Sequence, residues 1–118
     1  MEMSPYQAAL RFIQDNSGTG GASSLAKLML SLWNSQCAFA VSECLGNLDR
    51  QNTRIALEAI EKYAREGETE DLSEVCRQIN AAYPRYWELG AAATKAKSEL
   101  RARWEIEDRD ADEDEDEG

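Results

Sequence analysis

From Leu28 to Ser42 the chain runs 15 residues without a charge, in a protein where 31% of residues are charged. A run of this kind is excluded from water. A helix that crosses a bilayer needs about 20 apolar residues, and this run is shorter and carries Asn34, Ser35 and Gln36. It reads as a helix buried inside a soluble bundle. Leu25, Met29, Leu32, Trp33, Cys37, Ala40, Val41 and Cys44 form one wide stripe at helical spacing, and Leu28, Ala38 and Phe39 add apolar surface beyond it. The spacing predicts one long helix from Ser23 or Ser24 to about Leu45, stopped by Gly46. A helix apolar on more than one side is central, or it also lines a subunit interface. Leu28, Leu32 and Phe39 are the candidate seam of a homodimer.

The remaining segments repeat the helical period. Ser4-Pro5-Tyr6-Gln7 is a helix start, with a capping serine, a proline at the first position and a glutamine to close the box. Tyr6, Ala9, Leu10 and Ile13 follow, and the helix is expected to end near Asn16. The Gly- and Ser-dense stretch from Asn16 to Ser23 reads as a flexible connection. A third helix is expected over about Thr53–Arg65, capped by Asn52 or Asp49. Gly67 closes it, and Thr69 or Asp71 opens a fourth with Leu72, Val75, Cys76 and Ile79 as its stripe. Tyr83 precedes Pro84 and is pushed from helical geometry, so a boundary falls there, with a kinked continuous helix as the alternative. A fifth helix runs from Pro84 to Arg103 or beyond, with Tyr86, Leu89, Ala93, Ala96 and Leu100 as its inner face, joined by Trp104. The small residues Gly90 to Ala93 invite close approach by another helix. The expected fold is all-α, a compact antiparallel bundle of about five helices over residues 1–104.

Charge is unevenly placed. Residues 105–118 hold ten acids and one base, Arg109, whereas residues 1–104 hold 13 acids and 12 bases. The net charge of −10 therefore belongs to an acidic, flexible, low-complexity tail attached to a near-neutral body. Just before it, Lys95, Lys97, Arg101 and Arg103 form a basic stretch opposed only by Glu99. Their adjacency suggests that the tail folds back and screens them.

The chain has no histidine, which removes the usual general base of Ser and Cys nucleophiles and the commonest metal ligand. Its three cysteines lack zinc-motif spacing. Cys37 and Cys44, placed on one helix, would stand roughly 10 Å apart, too far for a disulfide. Reduced, buried thiols in a cytoplasmic protein are expected. Gly18-Thr19-Gly20-Gly21 is followed by no Lys-Ser/Thr pair, so it is not a phosphate loop. Glu68, Glu70, Asp71 and Glu74 complement a helix start. The acids from Asp108 lack the glycine of a calcium loop, Glu113 standing in its place. The start of the chain carries no secretory pattern. No catalytic residue, metal or cofactor is expected.

Two segments qualify as partner-binding candidates. Tyr83, Arg85, Tyr86 and Trp87 are residue types that dominate interface hot spots, although packing of the helix junction by Tyr86 and Trp87 is the favoured explanation of the rings. Asp108, Asp110, Asp112, Glu113, Asp114 and Glu115 offer dense negative charge. The expected function is a non-catalytic interaction module, such as a small inhibitor that occupies the basic, nucleic-acid-binding surface of a partner protein. Direct binding of nucleic acid or membrane is not expected. The alternative is a homo-oligomeric adaptor whose tail only confers solubility.

Overall fold

The computed structural model describes residues 3–116, with side chains placed as far as Asp112. Six helices follow one another: α1 (Pro5–Asp15), α2 (Gly20–Trp33), α3 (Val41–Leu45), α4 (Arg50–Glu66), α5 (Glu70–Ala82) and α6 (Pro84–Asp116). The described residues contain no strand. The all-α bundle is as expected, with one helix more.

The additional helix arises where the uncharged run breaks. α2 stops at Trp33 because Asn34 turns the chain: its side-chain oxygen accepts from the Gln36 N–H at 2.8 Å, and its carbonyl accepts from Cys37 N–H at 3.0 Å. Asparagine competes with the helix by bonding the backbone two residues on, and apolar periodicity does not reveal this. Residues 34–40 then cross the bundle as an irregular segment. α3 restarts at Val41, where the Glu43 carboxylate accepts from Ala40 N–H at 2.9 Å. Cys37 and Cys44 therefore do not share a helix.

The Gly-rich connection is also tighter than expected. α2 begins at Gly20, and its cap is Thr19, whose hydroxyl accepts from Ala22 N–H at 3.2 Å and donates to Asn16 carbonyl at 2.8 Å. Gly18 takes a φ of +89° in the turn, a conformation that favours glycine. Ser4, Asp49 and Thr69 cap α1, α4 and α5, and Gly67, at φ +68°, closes α4. The boundary at Tyr83 falls where Pro84 places it.

α2 is the centre of the bundle and packs against all five other helices. Tyr6, Ala9 and Ile13 of α1, Leu25 and Met29 of α2, Ala56 and Ala59 of α4, and Leu72, Cys76 and Ile79 of α5 form the buried core. Much of the excess apolar surface of the uncharged run is consumed internally, although Val41 is 72% exposed. Leu28 is buried, while Leu32 and Phe39 are partly buried against the core, and Phe39 lies in the segment after α2. Of the seam expected through these three residues, Leu28 is thus covered by the chain itself and Leu32 and Phe39 are covered in part.

α6 departs furthest from expectation. Gly90 is its only buried residue among those described. The predicted inner face turns inward only in part: Tyr86 packs against the core and Ala93 and Leu100 are partly buried, but Leu89 is 55% exposed, Ala96 is exposed, and Trp104 is 50% exposed. From Arg101 to Asp112 every residue is exposed. The acidic segment continues the helix to Asp116 and, as expected of a tail, packs on nothing as far as Asp112, which accounts for the 68 Å long axis against 30 and 25 Å for the others. It does not fold back over the basic stretch. Its helical bonds are local and unsupported by packing, the condition in which helices fray.

Candidate functional site

Two surfaces carry the sequence-predicted residues. The first is the corner between α5 and α6. Tyr83 leaves helical geometry at φ −134° while its N–H still reaches Ile79 carbonyl at 2.8 Å. Pro84 starts α6 at once, because proline at a first helical position forfeits no intrahelical bond. The Tyr83 hydroxyl bonds the Ser17 hydroxyl, tying this corner to the α1–α2 turn. The Tyr83 and Tyr86 rings lie 6.2 Å apart at 49°. Trp87 turns inward to Trp33, with centroids 5.7 Å apart at 59°. The Trp33 indole N–H donates to the Ser73 hydroxyl at 3.3 Å, which donates to the Glu68 carboxylate at 2.9 Å. Tyr83, Tyr86 and Trp87 are each partly buried against the core, and Arg85 alone is exposed. Packing of the helix junction accounts for the three rings. A shallow depression of about 450 Å³ remains between Gly18, Ala82 and residues 83–86.

The second surface is the free half of α6. Asp108, Asp110 and Asp112 are exposed on it; the side chains of Glu113, Asp114 and Glu115 lie outside the described residues. Trp87 and Asp108 are separated by about 32 Å of helix at 1.5 Å per residue. The structure therefore does not bring the two predicted sets together: a partner that contacts both must span the length of α6. Within the basic stretch, Lys95 pairs with Glu99 at 4.0 Å and Arg103 with Glu107 at 3.8 Å. These pairs are exposed and each contributes little. Lys97 and Arg101 enter no salt bridge among the described residues.

A feature that the sequence reading missed lies between the surfaces. The segment 34–40 crosses α6 at Gly90, and Ala38 N–H donates to Gly90 carbonyl at 3.1 Å. The small residues were expected to admit a helix and instead admit this irregular segment. Its docking rotates Leu89 to the outside, which leaves Leu89, Ala96 and Trp104 as an uncovered apolar strip. The signal was the phase of the helix, since the single glycine, not the leucines, marks the contacting side.

The three thiols are buried and free. Burial, with Cys44 nearby, pushes Cys37 up to about 11; burial, with Cys37 and Glu68 nearby, pushes Cys76 up to about 12. Burial also raises Cys44, partly opposed by its contact with the Ser31 hydroxyl. Nucleophilic chemistry requires the thiolate in an accessible place, and these thiols are neutral and enclosed. Among the described residues no group of three or more Cys, Asp or Glu side chains is placed to hold a metal ion. A second depression, of about 360 Å³ between α1 and the start of α4, is lined by Arg11, Phe12, Asp15 and Asn52 among others, and its charged pair is an exposed contact of 3.9 Å. No described helix is long and apolar enough to cross a membrane.

Comparison of the chain with protein-family models, curated proteins and solved structures returns no match.

Proposed function

We propose that the protein is a non-catalytic protein–protein interaction module whose acidic α6 end engages a basic surface on a partner protein. The observation that carries this reading is the projection of α6: residues 101–112 are exposed on every side of a single helix. Ten acids and one base occupy residues 105–118. A bare acidic helix presents carboxylates on its whole circumference, so it can enter a cleft as well as lie on a surface. A cleft lined by Lys and Arg for nucleic acid is the kind of surface that such a density of negative charge suits. An inhibitor of a cytoplasmic nucleic-acid-binding protein is the specific form of the proposal. Recognition beyond charge falls to the Tyr83–Trp87 corner, where Arg85 is exposed beside two partly buried tyrosines.

The test is capture of basic proteins on the immobilised full chain over a salt series. Partners retained at about 50 mM salt and released by about 500 mM are expected, because exposed charge pairs are screened at that strength. The triple variant D108N/D110N/D112N is expected to lose most of that retention. Salt-insensitive capture, or capture unchanged in the triple variant, contradicts the reading and moves recognition to the bundle.

A further inference from the structure

Lys97, Arg101, Asp108 and Asp112 follow one another at intervals of four, seven and four residues. At about 100° per residue these four side chains fall on one narrow strip of α6. All four are exposed. The strip borders the uncovered apolar one, where Leu89, Ala93, Ala96, Leu100 and Trp104 recur at three- and four-residue spacing. The charge order along the strip, two cations and then two anions, is antisymmetric about the point between Trp104 and Glu105. A strip with this order is complementary to itself when a second copy is laid antiparallel. That register sets Lys97 beside Asp112 of the other copy and Arg101 beside Asp108, and the two-fold axis repeats both pairs. The same register brings the two Trp104 rings together at the centre, with Leu100 and Ala96 on either side.

From this we infer that α6 is a self-association surface, and that two copies of the chain pair antiparallel along it through the Lys97, Arg101, Asp108, Asp112 strip and the Trp104 seam. Alternating charge beside an apolar seam is how helix pairs set orientation and register. The pairing cannot be satisfied within one chain: on a single continuous helix Lys97 and Asp112 are about 22 Å apart. The dimensions agree as well. Beyond Thr94, where Leu100 alone among the described residues is partly buried, α6 extends to Asp116, a length of about 33 Å. In this register position 116 of one helix falls opposite Ala93 of the other, at the edge of the packed half. The seam holds only two large apolar residues per chain, so association is weak and sensitive to salt.

Sedimentation equilibrium of the full chain decides the matter. The wild-type chain is expected to dimerise at roughly 100 μM in low salt and to dissociate as ionic strength rises. K97E/R101E should weaken dimerisation at least about tenfold, since four cross-chain attractions become repulsions. K97E/R101E/D108K/D112K restores the complementary order in reverse and should recover the dimer, yet it should fail to pair with the wild-type chain. All four positions are exposed, and circular dichroism of each variant verifies the fold. A chain that stays monomeric at roughly 1 mM overturns the inference, as does a dimer indifferent to K97E/R101E or a quadruple variant that remains monomeric. The outcome is distinguishable from that of the partner-binding reading: a monomer that still captures basic proteins removes only the dimer, and a dimer that captures none removes only the partner.

Discussion

Gly90 of α6 lies directly over Cys37, so close that a side chain at position 90 would overlap the cysteine sulfur. The same added carbon would stand 3.0 Å from the Phe39 ring and 3.2 Å from Ala38 nitrogen. A glycine inside a helix forfeits about 1 kcal/mol relative to alanine. It is tolerated here because the segment after α2 docks through this gap. G90A is therefore expected to destabilise the protein, the overpacking term of about 1–3 kcal/mol outweighing the propensity gain. Adding C37A to G90A removes the sulfur and should recover part of the loss, leaving the Phe39 contact as the remainder. Urea unfolding of the two single variants and the double variant measures the coupling.

The Tyr6 ring is fully buried, and its hydroxyl finds no hydrogen-bond partner among the described residues. Burial raises its titration above the ordinary 10.0, with Glu66 and Asp71 adding to the effect. A buried donor without a partner carries a desolvation penalty of about 1–3 kcal/mol. Y6F keeps the ring, which packs in the core and lies 5.9 Å from the Lys62 ammonium, and discards the hydroxyl. The variant is expected to be as stable as the wild-type chain or up to about 1 kcal/mol more stable. A loss above that size in chemical denaturation would mean that the hydroxyl does have a partner.

The cysteines make a pH prediction with a definite sign. Each thiol titrates higher in the folded chain than the ordinary 9.0, Cys37 at about 11 and Cys76 at about 12. Above pH 9 the unfolded chain releases these protons while the folded chain retains them. The unfolded state then binds fewer protons, and stability falls as pH rises. The stability is fully present below about pH 9 and is lost progressively up to about 12, at about 1.4 kcal/mol for each unit of displacement. Thiol alkylation at pH 8 should accordingly be slow for all three cysteines in the native chain and fast in denaturant. Mass spectrometry of the labelled chain counts them; rapid native labelling of Cys37 would place the 34–40 segment in frequent opening.

The period of apolar residues made the bundle legible, and the caps and the Tyr83–Pro84 boundary were legible because Ser4, Thr69 and Pro84 act on their own neighbours. Two features were not. The break after Trp33 depends on a hydrogen bond from Gln36 to the Asn34 side chain, which competes with a helix that the apolar pattern favoured equally. The orientation of α6 depends on which of two candidate faces meets the bundle. Leu89, Ala96, Leu100 and Trp104 define the more apolar face, yet Gly90 lies on the one that permits contact. Closeness of approach, which no hydrophobicity pattern encodes, decided between them. Of the candidate site residues, exposure of Asp108, Asp110 and Asp112 was legible from charge alone, whereas the inward turn of Trp87 required its partner Trp33.

The free half of α6 makes the last prediction. Deleting residues 105–118 removes ten acids and one base and leaves 13 acids and 12 bases, a net charge of −1. No residue from Arg101 to Asp112 is buried, so among the described residues the deletion takes away no buried apolar side chain. Surface changes of this kind fall within about 0.5 kcal/mol, and the urea midpoint of the truncated chain should stay within that margin. Its helical circular dichroism should fall by the contribution of the deleted segment, because residues 105–116 are helical in the full chain. Solubility near neutral pH should fall with the loss of net charge. Retention of basic proteins and dimerisation should both disappear, since each uses Asp108 and Asp112. Destabilisation of more than about 1 kcal/mol would contradict the projection of α6, because only a segment packed on the bundle can withdraw that much.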